Sequence, residues 1–304
     1  MTQENHNSKS MFHGFWALTN RDLKKWYKAP ILLFMSIIQP ILWMGLFGRA
    51  MNIGAIFTNN PISIPPSVIQ QLGLTDAQVQ GLKNLFGALP GTIMTSTFGV
   101  SDYFSFMAVG MLSFVVVFTA MFSGMSIVWD RRLGFLNKAL STPISRGSII
   151  MSKVLNSIIR SLIQASIVIV LAWLLGMQFS ASFTVVHLLV AFAALFLMCL
   201  GLSSLFLAIA IRSTKWETQM AVVNLLNLPL IFTSNALFPT SFMPDWLQTI
   251  SKINPITYGT DAVRQMLILS PDFVKLGWDF TFLGAFALIF AGIGIFLSWK
   301  YLSK

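Results

Sequence analysis

The residues best placed to do chemistry are five cations, Arg131, Arg132, Lys138, Arg146 and Lys153. They crowd residues 129–153 (WDRRLGFLNKALSTPISRGSIIMSK) against one acid, Asp130. The set holds no nucleophile and no general base; it could instead seat on anionic lipid or on a partner's surface. Leu133, Leu136 and Leu140 recur at spacings of three and four, which puts them on one side of a short helix, with Arg132 and Lys138 elsewhere on its circumference. Pro143 forbids a smooth continuation, and Ser145-Arg146-Gly147 supplies turn chemistry before the chain becomes apolar again. The stretch reads as a basic cytosolic elbow between two membrane helices.

Catalytic constellations are missing. No G-x-x-x-x-G-K-[ST] loop occurs, and no glycine is followed by lysine, so the chain does not bind ATP by a P-loop. His6, His13 and His187 are far apart, and neither H-E-x-x-H nor G-x-S-x-G is present, which removes the common zinc and serine hydrolases. Cys199 stands alone inside an apolar run and offers neither a disulfide framework nor a metal site. The charge-free apolar runs carry no carboxylate of the kind an ion-driven carrier needs at the midplane. The expectation is a non-enzyme without catalytic, metal or cofactor residues, whose energy comes from another subunit.

Two polar features fall inside the apolar runs. Arg160 lies about 9 Å in from Val154 at 1.5 Å per residue. It either snorkels to the interface or forms an inner charge lock with Asp130 or Glu217. Asn224, Asn227, Ser234 and Asn235 fall near one helical face, with Pro229 between them. They read equally as interhelical hydrogen-bonding groups and as a polar strip on a transport path.

The elements that position these residues are membrane helices. Of 304 residues, 55% are hydrophobic and only 10% charged, against about 25% charged in soluble domains. Mean hydropathy is +0.74. The net charge of +10 sits at the edges of apolar runs without interleaved stacking aromatics, which excludes nucleic acid and points to lipid headgroups. The expected fold is an all-α integral membrane protein with six transmembrane helices at 31–48, 104–129, 154–175, 184–211, 220–238 and 278–301. Residues 104–129 would be about 39 Å long against a hydrocarbon core of about 30 Å, so one end should protrude into the elbow, 130–152. Residues 11–28 mix Trp16, Trp26 and Tyr27 with Arg21, Lys24, Lys25 and Lys28, which suits an interfacial helix as well as a solvated tail. Lysine and arginine concentrate in the N-terminal segment, the elbow, the link at Arg212 and Lys215, and the C-terminus. This asymmetry puts both termini and the elbow in the cytoplasm of a multi-pass protein of the cell membrane.

Two external segments remain. In the loop 49–103, Thr75 with Gln78 fits a capping box and Leu74 with Val79 a hydrophobic staple, so a helix should run from Asp76 toward Phe86. Pro65-Pro66 and Gly73 bracket a further turn or two. In 239–275, Pro239, Pro244 and Pro255 break a moderately apolar stretch into short pieces suited to re-entering the outer leaflet.

Two runs carry a family resemblance. The first is Ala108 to Gly124 leading into Gly134-Phe135-Leu136-Asn137-Lys138-Ala139-Leu140-Ser141-Thr142-Pro143-Ile144-Ser145-Arg146-Gly147. The second joins Asn235-Ala236-Leu237-Phe238-Pro239, Pro244-Asp245-Trp246-Leu247, Asn254-Pro255-Ile256-Thr257-Tyr258 and Asp261-Ala262-Val263-Arg264. Together they resemble the membrane subunits of type-2 ABC exporters, the drug-resistance and polysaccharide-export permeases, over nearly the whole chain. The resemblance implies a homodimeric permease with separate ABC ATPase subunits that bind the ATP and Mg. The elbow would be a coupling helix, and Arg131, Arg132, Gly134, Phe135, Leu136, Leu140 and Pro143 would face the ATPase. An amphiphilic drug, lipid or lipid-linked glycan would be the cargo. The long first external loop departs from the family's compact one. An importer permease, or a membrane receptor or anchor for a cytosolic partner, remains the alternative.

Overall fold

The computed structural model describes residues 4–50, 69, 71–73, 75–100, 102–142, 144–213 and 215–301, and all regular structure among them is helical. Pro143, Leu74 and the Pro65-Pro66 turn lie outside the described residues. Helix α1 (Glu4–Tyr27) is followed by α2 (Pro30–Trp43), which continues as a π-helix, Met44–Ala50. Pro40 stands inside α2, and the wider turns of the π-helix follow the N–H it lacks. Next come α3 (Asp76–Phe98), α4 (Tyr103–Arg132), α5 (Phe135–Leu140), α6 (Arg146–Leu174), α7 (Val185–Arg212) and α8 (Trp216–Phe232). A 3₁₀ turn, Thr240–Phe242, leads to α9 (Asp245–Ser251), α10 (Pro255–Leu267) and α11 (Phe273–Tyr301).

Among the described residues, four helices are long and apolar enough to cross a membrane: α4, α6, α7 and α11. The other two expected spans are α2 with its π-helical extension and the 17-residue α8. Helix α4 is the hub, apolar and buried along nearly its whole length, with α6 and α7 packed against it and α11 behind α7. Close backbone approach fixes two of its glycines. A Cβ on Gly110 would stand 1.9 Å from the Ala236 carbonyl oxygen, and one on Gly124 2.8 Å from that of Phe206. Any side chain there would push a neighbouring segment away.

Several boundaries move for identifiable reasons. The capping box forms, with the Thr75 backbone N–H donating to Gln78 Oε1 at 2.9 Å. But α3 does not stop near Phe86. It runs to Phe98 and ends only where Gly99 adopts φ +72°, with Phe98 packed edge-on against Tyr103 and Phe106. Helix α8 stops at Phe232, short of the expected 238. Asn254 takes up its loose end by donating to the Leu230 carbonyl at 2.6 Å and the Thr233 hydroxyl at 2.8 Å. Arg264, 2% exposed, donates to the carbonyls of Asn235, Ala236 and Phe106 at 2.7, 2.9 and 3.3 Å. One buried guanidinium thus satisfies a stretch of non-helical backbone that has no ladder of its own. Helix α11 starts five residues before 278 because the Asp272 carboxylate accepts from the backbone N–H groups of Val274 and Lys275. Asp279, already within the expected 278–301, is buried in this helix and accepts from Gln265 at 3.0 Å, so the last apolar helix does carry a carboxylate.

Candidate coupling site

The elbow is shorter than the 130–152 read from sequence. Asp130, Arg131 and Arg132 complete α4, and residues 146–152 form the first turns of α6, whose N-cap Ser145 accepts from the Ser148 N–H at 3.2 Å. Between them Gly134 takes φ +72°, open to left-handed backbone without a Cβ clash, and so lets the single-helix run of α4 fold over into α5.

The leucine stripe divides between two surfaces. Leu133 caps α4 outside the short helix and is 69% exposed. Leu136 is 3% exposed and Ala139 is buried beside it, while Phe135 and Leu140 are partly buried against the same core. In this conformation Leu136 belongs to the chain's own bundle and does not face outward. The exposed residues of the elbow are Arg132, Leu133, Asn137, Lys138, Ser141 and Thr142. Arg131 faces inward. Its guanidinium donates to the carbonyls of Ile211 at 2.8 Å and Ser213 at 2.6 Å, satisfying the end of α7.

Beneath the elbow lies a charge cluster. Asp130, 4% exposed, accepts from Arg21 at 3.1 Å and from Lys153, and Lys25 stands 3.6 Å away. Asp22 joins Arg21 at 3.1 Å and also Lys153. The Arg21 guanidinium covers the Phe135 ring at 3.2 Å. The lock expected of Asp130, Arg160 and Glu217 is therefore built differently. Asp130 is its acid, but its cations come from α1 and the start of α6. Arg160 lies two turns deeper than Lys153, stacked near Trp26 at 5.3 Å, and Glu217 is exposed without an ion pair to any described residue. Sequence reasoning missed Arg21 and Asp22. The available signal was that Asp22 is the single acid of the basic segment 11–28, as Asp130 is of the elbow.

The polar strip on α8 is also divided. Asn224 is exposed and Asn227 is buried, while Ser234 and Asn235 lie beyond the helix end and so do not continue its face. Ser234 donates to the Ile231 carbonyl at 2.6 Å, and the Asn235 carbonyl is held by Arg264. Among the described residues no group of His, Cys, Asp or Glu is assembled to hold a metal ion.

A half-open cavity of about 470 Å³ runs from this cluster into the bundle. Asp22, Lys25 and Lys153 line its charged end, and Trp43, Phe114 and Phe118 its apolar end. Trp129 and Trp216, edge to face at 4.9 Å, flank it.

The ABC-2 type transporter family matches residues 13–268. A putative transport permease ycf38 of Porphyra purpurea is 31% identical over 267 residues, covering 87% of this chain and 75% of the other. The probable multidrug ABC transporter permease YbhR of Escherichia coli K12 is 26% identical over 169 residues, 55% of this chain and 45% of the other. The probable doxorubicin resistance ABC transporter permease protein DrrC of Mycobacterium tuberculosis H37Rv is 22% identical over 267 residues, 86% of this chain and 80% of the other.

Proposed function

Because the chain belongs to the ABC-2 type transporter family, we propose that it is an exporter permease that pairs with a second copy of itself and is driven by separate cytosolic ATPase subunits. Six spans cross the cell membrane, with α2 and its π-helical extension as the first and α8 as the fifth. Both termini and the elbow face the cytoplasm, as the distribution of lysine and arginine favours. ATP and Mg are held by the partner subunits.

The observation that carries this reading is the continuity of α4 with the elbow. A 30-residue helix crosses the bundle and emerges without a break. Its end is tied to α7 through Arg131 and to α1 and α6 through Asp130. An ATPase pushing on the exposed face of α5 moves the cytosolic ends of all four helices together. As nucleotide draws two ATPases together, the two permeases tilt and the path between them opens outward. Relatives named for multidrug and doxorubicin resistance favour export, and an amphiphilic drug, lipid or lipid-linked glycan suits the apolar interior.

Copurification tests the coupling. The tagged chain should bring down a P-loop ATPase, and Leu133→Glu or Lys138→Glu, both on the exposed face, should weaken that association or lower the ATPase rate. If no ATPase accompanies the chain, or the rate ignores both substitutions, the proposal fails.

A further inference from the structure

Three buried donors in the cavity have no acceptor. Trp26 Nε1, Asn156 Nδ2 and Arg160 Nε each lack a hydrogen-bond partner among the described residues, and all three residues line the same cavity. Trp26 is 8% exposed and Asn156 6%. Asn156 and Arg160 are four residues apart on α6 and so share a face, and the Arg160 guanidinium lies 5.3 Å from the Trp26 ring. Leaving such groups unpaired is costly, and a charged donor most of all.

The deficit has a sign. Every group in it is a donor, and one is a cation. The cavity's two carboxylates accept no hydrogen bond from these donors: Asp22 and Asp130 are engaged by Arg21, Lys25 and Lys153, and the Asp22 charge reaches Arg160 only through space. What is missing is an anion with several acceptor oxygens. The opposite wall is apolar, formed by Trp43, Phe114, Phe118 and Phe122, and Phe122 is 49% exposed at its edge. A volume of about 470 Å³ holds a headgroup and the first part of a chain, within the range of about 300–1,000 Å³ usual for small-molecule sites.

The geometry points to a binding site for an anionic amphiphile of the cytosolic leaflet. Its acidic headgroup is held by Arg160, Asn156 and Trp26, and its chain lies along the phenylalanine wall. The site deepens the permease reading by naming a class of ligand, and it rests on that reading for the position of the bilayer.

Native mass spectrometry of the full chain, purified in detergent without nucleotide, tests it with three probes: phosphatidylglycerol, phosphatidylcholine of the same chains, and glycerol phosphate. Phosphatidylglycerol should be retained preferentially. Arg160→Gln should weaken it about tenfold, the scale of one charge-assisted hydrogen bond. Trp26→Phe, which keeps a ring but removes the N–H, should weaken it severalfold and serves if Arg160→Gln does not fold. Arg132→Gln, which removes an exposed cytosolic cation, should leave binding unchanged. Equal retention of both lipids, or indifference to both cavity variants, overturns the site. Glycerol phosphate binding as tightly as the lipid shows a free-anion site and overturns the amphiphile assignment. Loss of lipid binding in a chain that still copurifies an ATPase sinks this inference alone, whereas intact lipid binding without an ATPase sinks the coupling instead.

Discussion

The Arg21 guanidinium lies 3.2 Å over the Phe135 ring while its Nη2 donates to Asp130 at 3.1 Å. One side chain of α1 therefore touches both the short elbow helix and the end of the helix that feeds it. Such a stacked cation is worth about 0.5–2 kcal/mol, depending on its exposure. Phe135→Leu keeps the bulk and removes the ring face. The variant is expected to fold, to melt slightly earlier, and to show a lower transport-linked ATPase rate in reconstituted vesicles. An unchanged rate would mean that α1 is not part of the coupling.

The charge cluster should be strongly unequal in its members. Asp130→Asn leaves the nearly buried ammonium of Lys153 short of its main acid, and removal of one partner from a buried pair costs about 3–5 kcal/mol. Lys25, whose side chain is 54% exposed, is screened by solvent, so Lys25→Gln should cost no more than about 1 kcal/mol. Thermal melting in detergent, with the two variants side by side, checks the order. Equal losses would contradict it.

Arg264 is expected to be indispensable to the segment between α8 and α11. Arg264→Met retains much of the packing volume but strips the hydrogen bonds from the carbonyls of Asn235, Ala236 and Phe106. Bonds to a charged donor are worth about 1.5–3 kcal/mol each, so the loss should exceed about 3 kcal/mol. Proteolysis of the purified chain should then reach residues 233–239 faster than in the parent protein, where Thr233 to Leu237 are buried.

Glycine substitutions separate packing from conformation. Gly110→Ala drives a methyl into the Ala236 carbonyl and should cost at least about 1–3 kcal/mol with a displaced turn, whereas Gly284→Ala, with nothing within 4 Å, should be neutral or slightly stabilising. Comparative melting of the two variants reads this directly.

The parts of the fold that announce themselves locally were legible. Apolar runs marked the long helices, Thr75 and Gln78 marked the start of α3, and the basic run 129–153 marked the turn from α4 through α5 to α6. What periodicity does not carry is the identity of the surface that covers a face. Leu136 and Leu133 look alike in a stripe, yet one is covered by the chain's own bundle and the other is open. Pairings across long sequence separations were equally hidden. Arg21 and Asp130 stand 109 residues apart, and nothing in either segment names the other. The polar strip on α8 was extrapolated through a helix that in fact ends at Phe232, because its freed carbonyls find Asn254 and Arg264 far along the chain.

The grip of Arg131 on the end of α7 has a mechanical corollary. A bar held at one point pivots, but a bar pinned at several points can only carry its supports with it. Through Arg131, Asp130 and Phe135 the elbow-side ends of α1, α4, α6 and α7 form a single stiff plate. Bending must then occur where the helical ladder is already weak, at Pro40 in α2 with the π-helical stretch after it and at Pro229 in α8. The α2–π-helix stretch and α8 thus serve as the compliant walls of a frame in which α4, α6 and α7 travel as one body.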